Sequence, residues 1–192
     1  MQKIRIAVVH GRYQPPHNGH IRYILTAFEK AEHLLIGVCT PEICSDEEAE
    51  RTGYPCAPHL NPFSYEDRKT MIGLALTEQG ISPSRYTIIP FPSDYKNIET
   101  LVPRDAVFFM SVTSEHDAKK IEYLQQKGFA VETIFSQQHE TPREKGGYVR
   151  TSVRAGTNDW ETMVPESVQK YIKENDLVLN RNHPVLITKH PS

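Results

Sequence analysis

The chain has 192 residues, with 22 Lys and Arg against 24 Asp and Glu and a formal net charge of −2. That length suits one domain with a substantial core and is too short for two ordinary ones. The near-zero balance excludes a global field for nucleic acid or an anionic membrane, and no segment is apolar for the length of a membrane span.

The β-branched run Ile4–Val9 alternates little, which predicts a central parallel strand buried on both faces. A Gly/Pro turn follows, Gly11-Arg12-Tyr13-Gln14-Pro15-Pro16-His17-Asn18-Gly19-His20. From Gly19 to Ala31 a helix is predicted, with Ile21, Ile24, Leu25 and Phe28 as its apolar stripe. Leu34–Cys39 reads as a second buried strand. The acidic, proline-containing stretch Pro41–Pro62 is longer than a plain strand-to-helix connection, which suits a lid or specificity element as well as a solvated insertion. Cys39, Cys44 and Cys56 are an odd number without framework spacing and suit reduced thiols in a cytoplasmic protein. Cys44, Cys56 and His59 as a metal clip match no standard spacing.

Ser64 and Asp67 predict a capped helix start running to about Leu76. Tyr86–Pro90 and Ala106–Met110 read as strands, Ser114–Gln126 as a helix closed by Gly128, and Ala130–Ile134 as a fifth strand. This alternation predicts an α/β fold. It would be a doubly wound, Rossmann-like parallel sheet of five to six strands with helices on both faces, binding its ligand outside the strands' carboxyl ends. A domain over 1–175 and a polar tail over 176–192 are expected, with Val185-Leu186-Ile187 as the strand candidate within the tail.

Two histidines three residues apart at a helix start, His17 and His20, suit a nucleotide's phosphates. The helix dipole and free N–H groups attract an anion there, and Gly19 lets it approach the main chain. The alternative, a metal site of His10, His17 and His20, has no carboxylate or cysteine near it in sequence. This H-x-G-H turn resembles that of the nucleotidyltransferase superfamily, most closely the archaeal-type nicotinamide-mononucleotide adenylyltransferases with their G-R-F-Q-P-x-H-x-G-H opening. Asn61-Pro62-Phe63 through Arg68 resembles that family's N-P-F-x-x-x-x-R, and Val149-Arg150-Thr151-Ser152-Val153-Arg154 resembles its S-G-T-x-x-R. In the latter, Val149 stands where a serine is usual and Arg150 where a glycine or serine is. The family's stacking tryptophan is also missing from the 92–103 stretch, where Tyr95 stands as a substitute ring and Asn97 as a polar handle for the acceptor.

The resemblance implies transfer of a nucleoside monophosphate from ATP or another NTP to a phosphorylated small-molecule acceptor, with pyrophosphate released. Nicotinamide or nicotinate mononucleotide is the first acceptor implied. Cytidylyl or adenylyl transfer to another phosphorylated acceptor, such as a phosphoalcohol, phosphosugar or phosphonate, is the second. A nucleotide-binding regulator without turnover is the reading from another class. His17, His20 and Arg154 are expected to stabilise the moving charge. Gly11, Arg12, Tyr13, Gly19, Arg68 and Thr151 are expected to hold phosphates, with the Thr151 hydroxyl capping its helix. Mg²⁺ is expected to bridge the phosphate oxygens, with no protein side chain as its ligand. A homo-oligomer is the expected assembly.

Overall fold

The computed structural model describes residues 3–42, 44–52, 56–57, 60–112, 115–136, 146–175 and 177, excepting the side chains of Ala49, Arg51, Thr52, His116, Phe135, Ser136 and Arg154. Five strands form one sheet: β1 (Ile4–Gly11), β2 (Ala31–Cys39), β3 (Tyr86–Phe91), β4 (Val107–Val112) and β5 (Ala130–Ser136). Their order is β3-β2-β1-β4-β5, and every pairing is parallel. Six α-helices among the described residues accompany them: α1 (Asn18–Lys30), α2 (Asp46–Thr52), α3 (Tyr65–Glu78), α4 (Glu115–Gln126), α5 (Gly146–Ala155) and α6 (Glu166–Glu174).

The central strand is covered on both sides, with Ala7, Val8 and Val9 fully buried, as its unbroken apolar run requires. One core joins the sheet to α1, α3, α5 and α6 through Ile24, Phe28, Met71, Ile72, Val149, Val168 and Ile172. The other core lies on the opposite face, where Phe91, Tyr95, Ile98, Phe108 and Leu124 pack. The sheet is therefore doubly wound: the chain order runs outward from β1 to β3, then restarts at β4 on the other side. The switch point falls between β1 and β4, and in such sheets the crevice outside the strand ends at that point receives the ligand.

Ser64 and Asp67 form a reciprocal capping box, so α3 starts where the sequence places it. Tyr171 on α6 donates its hydroxyl to Asp67 at 3.0 Å and ties the last helix to that cap. Two expectations are corrected. The 41–62 stretch holds a helix, α2, and Cys44 and Cys56 are joined by a disulfide, with the Cys44 N–H donating to the Cys56 carbonyl at 3.2 Å. Among the described residues Cys39 is the free thiol, so neither three reduced thiols nor a metal clip of the first two describes this loop, and His59 lies outside the described residues. The predicted strand at 185–187 also lies outside them.

Candidate active site

The turn after β1 places both histidines. His17 is the N-cap of α1 in extended backbone, and His20 is its third helical residue. Each ring nitrogen Nδ1 accepts from the other residue's main-chain N–H at 3.4 Å, a capping box made of two imidazoles. The rings stack with centroids 3.6 Å apart, and Tyr13 meets His20 edge-on at 4.9 Å.

This arrangement favours one tautomer in both rings. A nitrogen accepting a main-chain N–H carries no proton, so in each neutral ring the proton sits on Nε2, which is left as a donor. Burial, with Arg22 and Arg150 near, pulls His17 from its ordinary 6.5 to about 3. Burial, with His17 and Arg12 near, also pulls His20 well below that value. At neutral pH the pair is two stacked, uncharged imidazoles, each offering one N–H donor at the positive end of a helix. These donors, the half-buried Arg12 beside them and the main-chain groups around the buried Gly19 make a donor-rich turn at the positive end of α1.

Gln14 joins three parts of this site, which the motif reading missed. Its side-chain amide clasps the main chain of Phe63, donating to the carbonyl at 2.9 Å and accepting from the N–H at 3.0 Å. Its own carbonyl accepts from Arg150 of α5 at 2.8 Å. A methyl group added at Gly146, the first residue of α5, would lie 3.3 Å from that carbonyl oxygen and 3.7 Å from His17 Cδ2. The start of α5 therefore lies against the histidine turn, and only a glycine leaves the approach uncrowded.

Several expected phosphate or acceptor residues are placed differently. Arg68 is fully buried, and its guanidinium donates to the carbonyls of Ser64 (3.1 Å), Arg12 (2.8 Å), Cys39 (2.7 Å) and Thr40 (2.7 Å). Burial lowers it to about 10, so it stays charged at neutral pH and fastens the ends of β1 and β2 to α3. Its spacing on a helix was legible, but not that it points inward. Tyr13 is also fully buried, with its hydroxyl unpartnered among the described residues, so it underlies His20 instead of facing solvent. Gly11 makes room for that ring: a methyl group there would lie 3.2 Å from Tyr13 Cζ.

Tyr95 does not offer a ring face. It is 5% exposed, packs against His10, Phe91 and Tyr123, and its hydroxyl lies 3.2 Å from His10 Nε2. His10 in turn stacks on Phe91 at 5.0 Å, and burial lowers it to about 4, so it too is neutral. Asn97 is exposed and has a left-handed backbone. Thr151 lies inside α5 and not at its cap, and its hydroxyl donates to Gly147 at 3.0 Å. Arg154 is on the same helix, and its side chain lies outside what is described. Tyr13, Thr40 and Tyr95 all have positive φ and all follow the carboxyl ends of strands, so backbone strain gathers around the crevice.

No group of three or more His, Cys, Asp or Glu among the described residues is placed to hold a metal ion. No helix among them is long and apolar enough to cross a membrane.

The Cytidylyltransferase-like family profile matches residues 8–150, which include the second half of β1, the histidine turn, α3, β4 and Arg150. The chain is 32% identical over 168 residues to the phosphonoformate cytidylyltransferase of Streptomyces viridochromogenes, covering 87% of this chain and 90% of that one. It is 29% identical over 175 residues to the nicotinamide-nucleotide adenylyltransferase of Pyrococcus furiosus, covering 85% and 80%. Among solved structures, a bifunctional NMN adenylyltransferase/ADP ribose pyrophosphatase from Francisella tularensis, complexed with AMP and a manganese ion, superposes with a TM-score of 0.60 at 17% identity. That match covers 93% of this chain and 53% of the other, so the chain spans about half the length of that protein and the likeness bears on the fold. With the stacked histidine pair at the switch point of a doubly wound sheet and a matching profile over most of its length, the chain belongs to the cytidylyltransferase-like family and is a nucleotidyltransferase.

Proposed function

We propose that the crevice transfers a nucleoside monophosphate from an NTP to a phosphorylated acceptor and releases pyrophosphate. The carrying observation is the pair of neutral, stacked imidazoles with both Nε2 donors free of the helix cap. An acceptor oxygen attacks the α-phosphorus, the bond to the bridging oxygen of the β-phosphate breaks, and the negative charge of that bond moves onto pyrophosphate. The acceptor oxygen is already ionised at neutral pH, so no general base is required, and catalysis consists of positioning and charge stabilisation. His17 and His20 donate to the phosphate oxygens that gain charge, and Arg12 and Arg154 hold the triphosphate. Arg68 supports the site from beneath.

A divalent cation would arrive on the nucleotide's own phosphates, leaving the chain's donors to meet the remaining phosphate oxygens. Bound there, Mg²⁺ would neutralise phosphate charge. The Cys44–Cys56 disulfide removes the reduced-thiol ground for a cytoplasmic location, and we take residues 1–175 as the catalytic domain of a homo-oligomer.

Nicotinamide or nicotinate mononucleotide, with ATP as donor, is the first acceptor this reading names, supported by the archaeal relatives. Cytidylyl transfer to a small phosphonate is the second. It is favoured by the burial of Tyr95, which leaves that segment no free ring face for a flat base. Pyrophosphate release from ATP and CTP against a panel of mononucleotides, phosphonates and phosphosugars, with product mass, decides between them. Release with none of the panel, together with nucleotide binding, would overturn transfer in favour of a binding regulator.

A further inference from the structure

Arg150 stands where the family pattern has a small residue, and nothing in the transfer chemistry above uses it. It is 9% exposed, and its guanidinium reaches across 136 residues of sequence to the Gln14 carbonyl at 2.8 Å. Gln14 is 1% exposed and is held from its other end by the main chain of Phe63. Between Gln14 and His17 lie only Pro15 and Pro16, whose rings fix φ, so a displacement of Gln14 passes to His17 with little local relief.

We propose that Arg150 is a positioning residue for nucleotidyl transfer: by holding the Gln14 carbonyl against the first turn of α5, it sets where the His17 ring stands. The proposal rests on the transfer reading above and adds a residue to it. Three further observations agree. The start of α5 is close enough to His17 that a methyl group at Gly146 would contact both the ring and the bridge. A guanidinium is a rigid planar fork that can hold a carbonyl in a fixed direction, which a lysine ammonium cannot do. His17 is faced by Arg22 and His20 from its own helix and by Arg150 from α5, so among the described residues Arg150 is the charge that reaches it from a different element.

The test uses the full chain with Arg150→Met and Arg150→Lys, reading pyrophosphate release and the ¹⁵N shift of the His17 ring together. With Arg150→Met, kcat should fall about tenfold or more per folded molecule, while KM for the NTP changes less than about threefold, and the His17 signal should move. Arg150→Lys should recover kcat only in part and leave His17 between the two positions. A wild-type kcat in Arg150→Met, or a loss that merely tracks the folded fraction with His17 unmoved, would overturn the proposal. If Arg150→Met does not fold, Arg150→Lys carries the same comparison, and full recovery there with an unmoved ring overturns it equally. The ring signal reads the bridge even if no acceptor supports turnover, so failure of the transfer reading is seen separately, as no pyrophosphate release with any acceptor alongside a displaced His17.

Discussion

Replacing Arg68 by methionine separates a phosphate clamp from an internal fastener. The side chain keeps its approximate length and loses its four hydrogen bonds to main-chain carbonyls. One of these is in its own helix turn, and three are in the Arg12, Cys39 and Thr40 segments. Each buried acceptor left unpaired costs about 1–3 kcal/mol, and the Ser64 carbonyl keeps its main-chain bond from the Arg68 N–H. The buried Cys39 and Thr40 carbonyls and the half-buried Arg12 carbonyl would then cost about 3–7 kcal/mol together, reduced by relaxation and by removing the burden of a desolvated cation. A loss of about 3–5 kcal/mol is expected, a large part of the roughly 5–15 kcal/mol that holds a domain folded. Denaturant midpoint and slope measure it, with NTP affinity measured on the same sample below the transition. The expected result is a large fall in midpoint with nucleotide affinity changed less than about threefold. A near-wild-type midpoint with nucleotide affinity reduced tenfold or more would refute the fastener and return Arg68 to the phosphates.

Stability should fall in acid. His10 and His17 are held neutral in the fold to about 4 and about 3, against an ordinary 6.5. The unfolded chain therefore binds more protons below pH 6.5, and stability present above that pH is lost as the pH drops toward 4, by a few kcal/mol in order of magnitude. A denaturant midpoint unchanged between pH 7.5 and 4.5 would contradict this. Tyr13→Phe removes a buried hydroxyl that has no partner among the described residues, so the variant should be as stable as the parent or more so by about 1 kcal/mol. A loss above about 2 kcal/mol in thermal or chemical unfolding would mean that the hydroxyl is satisfied in solution. Gly37→Ala places a methyl group 2.7 Å from the Phe91 ring that stacks on His10, and should cost about 1–3 kcal/mol. Parental stability in that variant would show the β2–β3 floor to be softer than its packing implies.

What the sequence made legible is what periodicity and local chemistry encode. The unbroken run Ile4–Val9 gave the buried central strand, Ser64 and Asp67 gave the α3 cap, and two histidines around a glycine gave the start of α1. The directions of long side chains were not legible. Arg68 sits in a segment that resembles a ligand-binding motif and Tyr95 in the stretch where that family's tryptophan is missing, yet tertiary packing turns both inward, onto carbonyls in one case and onto His10 in the other. The Arg150–Gln14 contact spans 136 residues, a separation that no local pattern records. Its only trace in the sequence was an arginine where a small residue is usual. The Cys44–Cys56 bond was hidden for a similar reason, because an odd cysteine count does not say which two meet.

The most direct test of the central claim is the turnover of His20→Asn beside the parent, with pyrophosphate release and NTP dissociation constant measured together. Asparagine keeps a short acceptor for the helix cap and removes the Nε2 donor. A kcat lower by about a hundredfold or more is expected, with stability and nucleotide affinity nearly unchanged, because the donor acts on charge that develops in the transition state. A kcat within about threefold of the parent would contradict it.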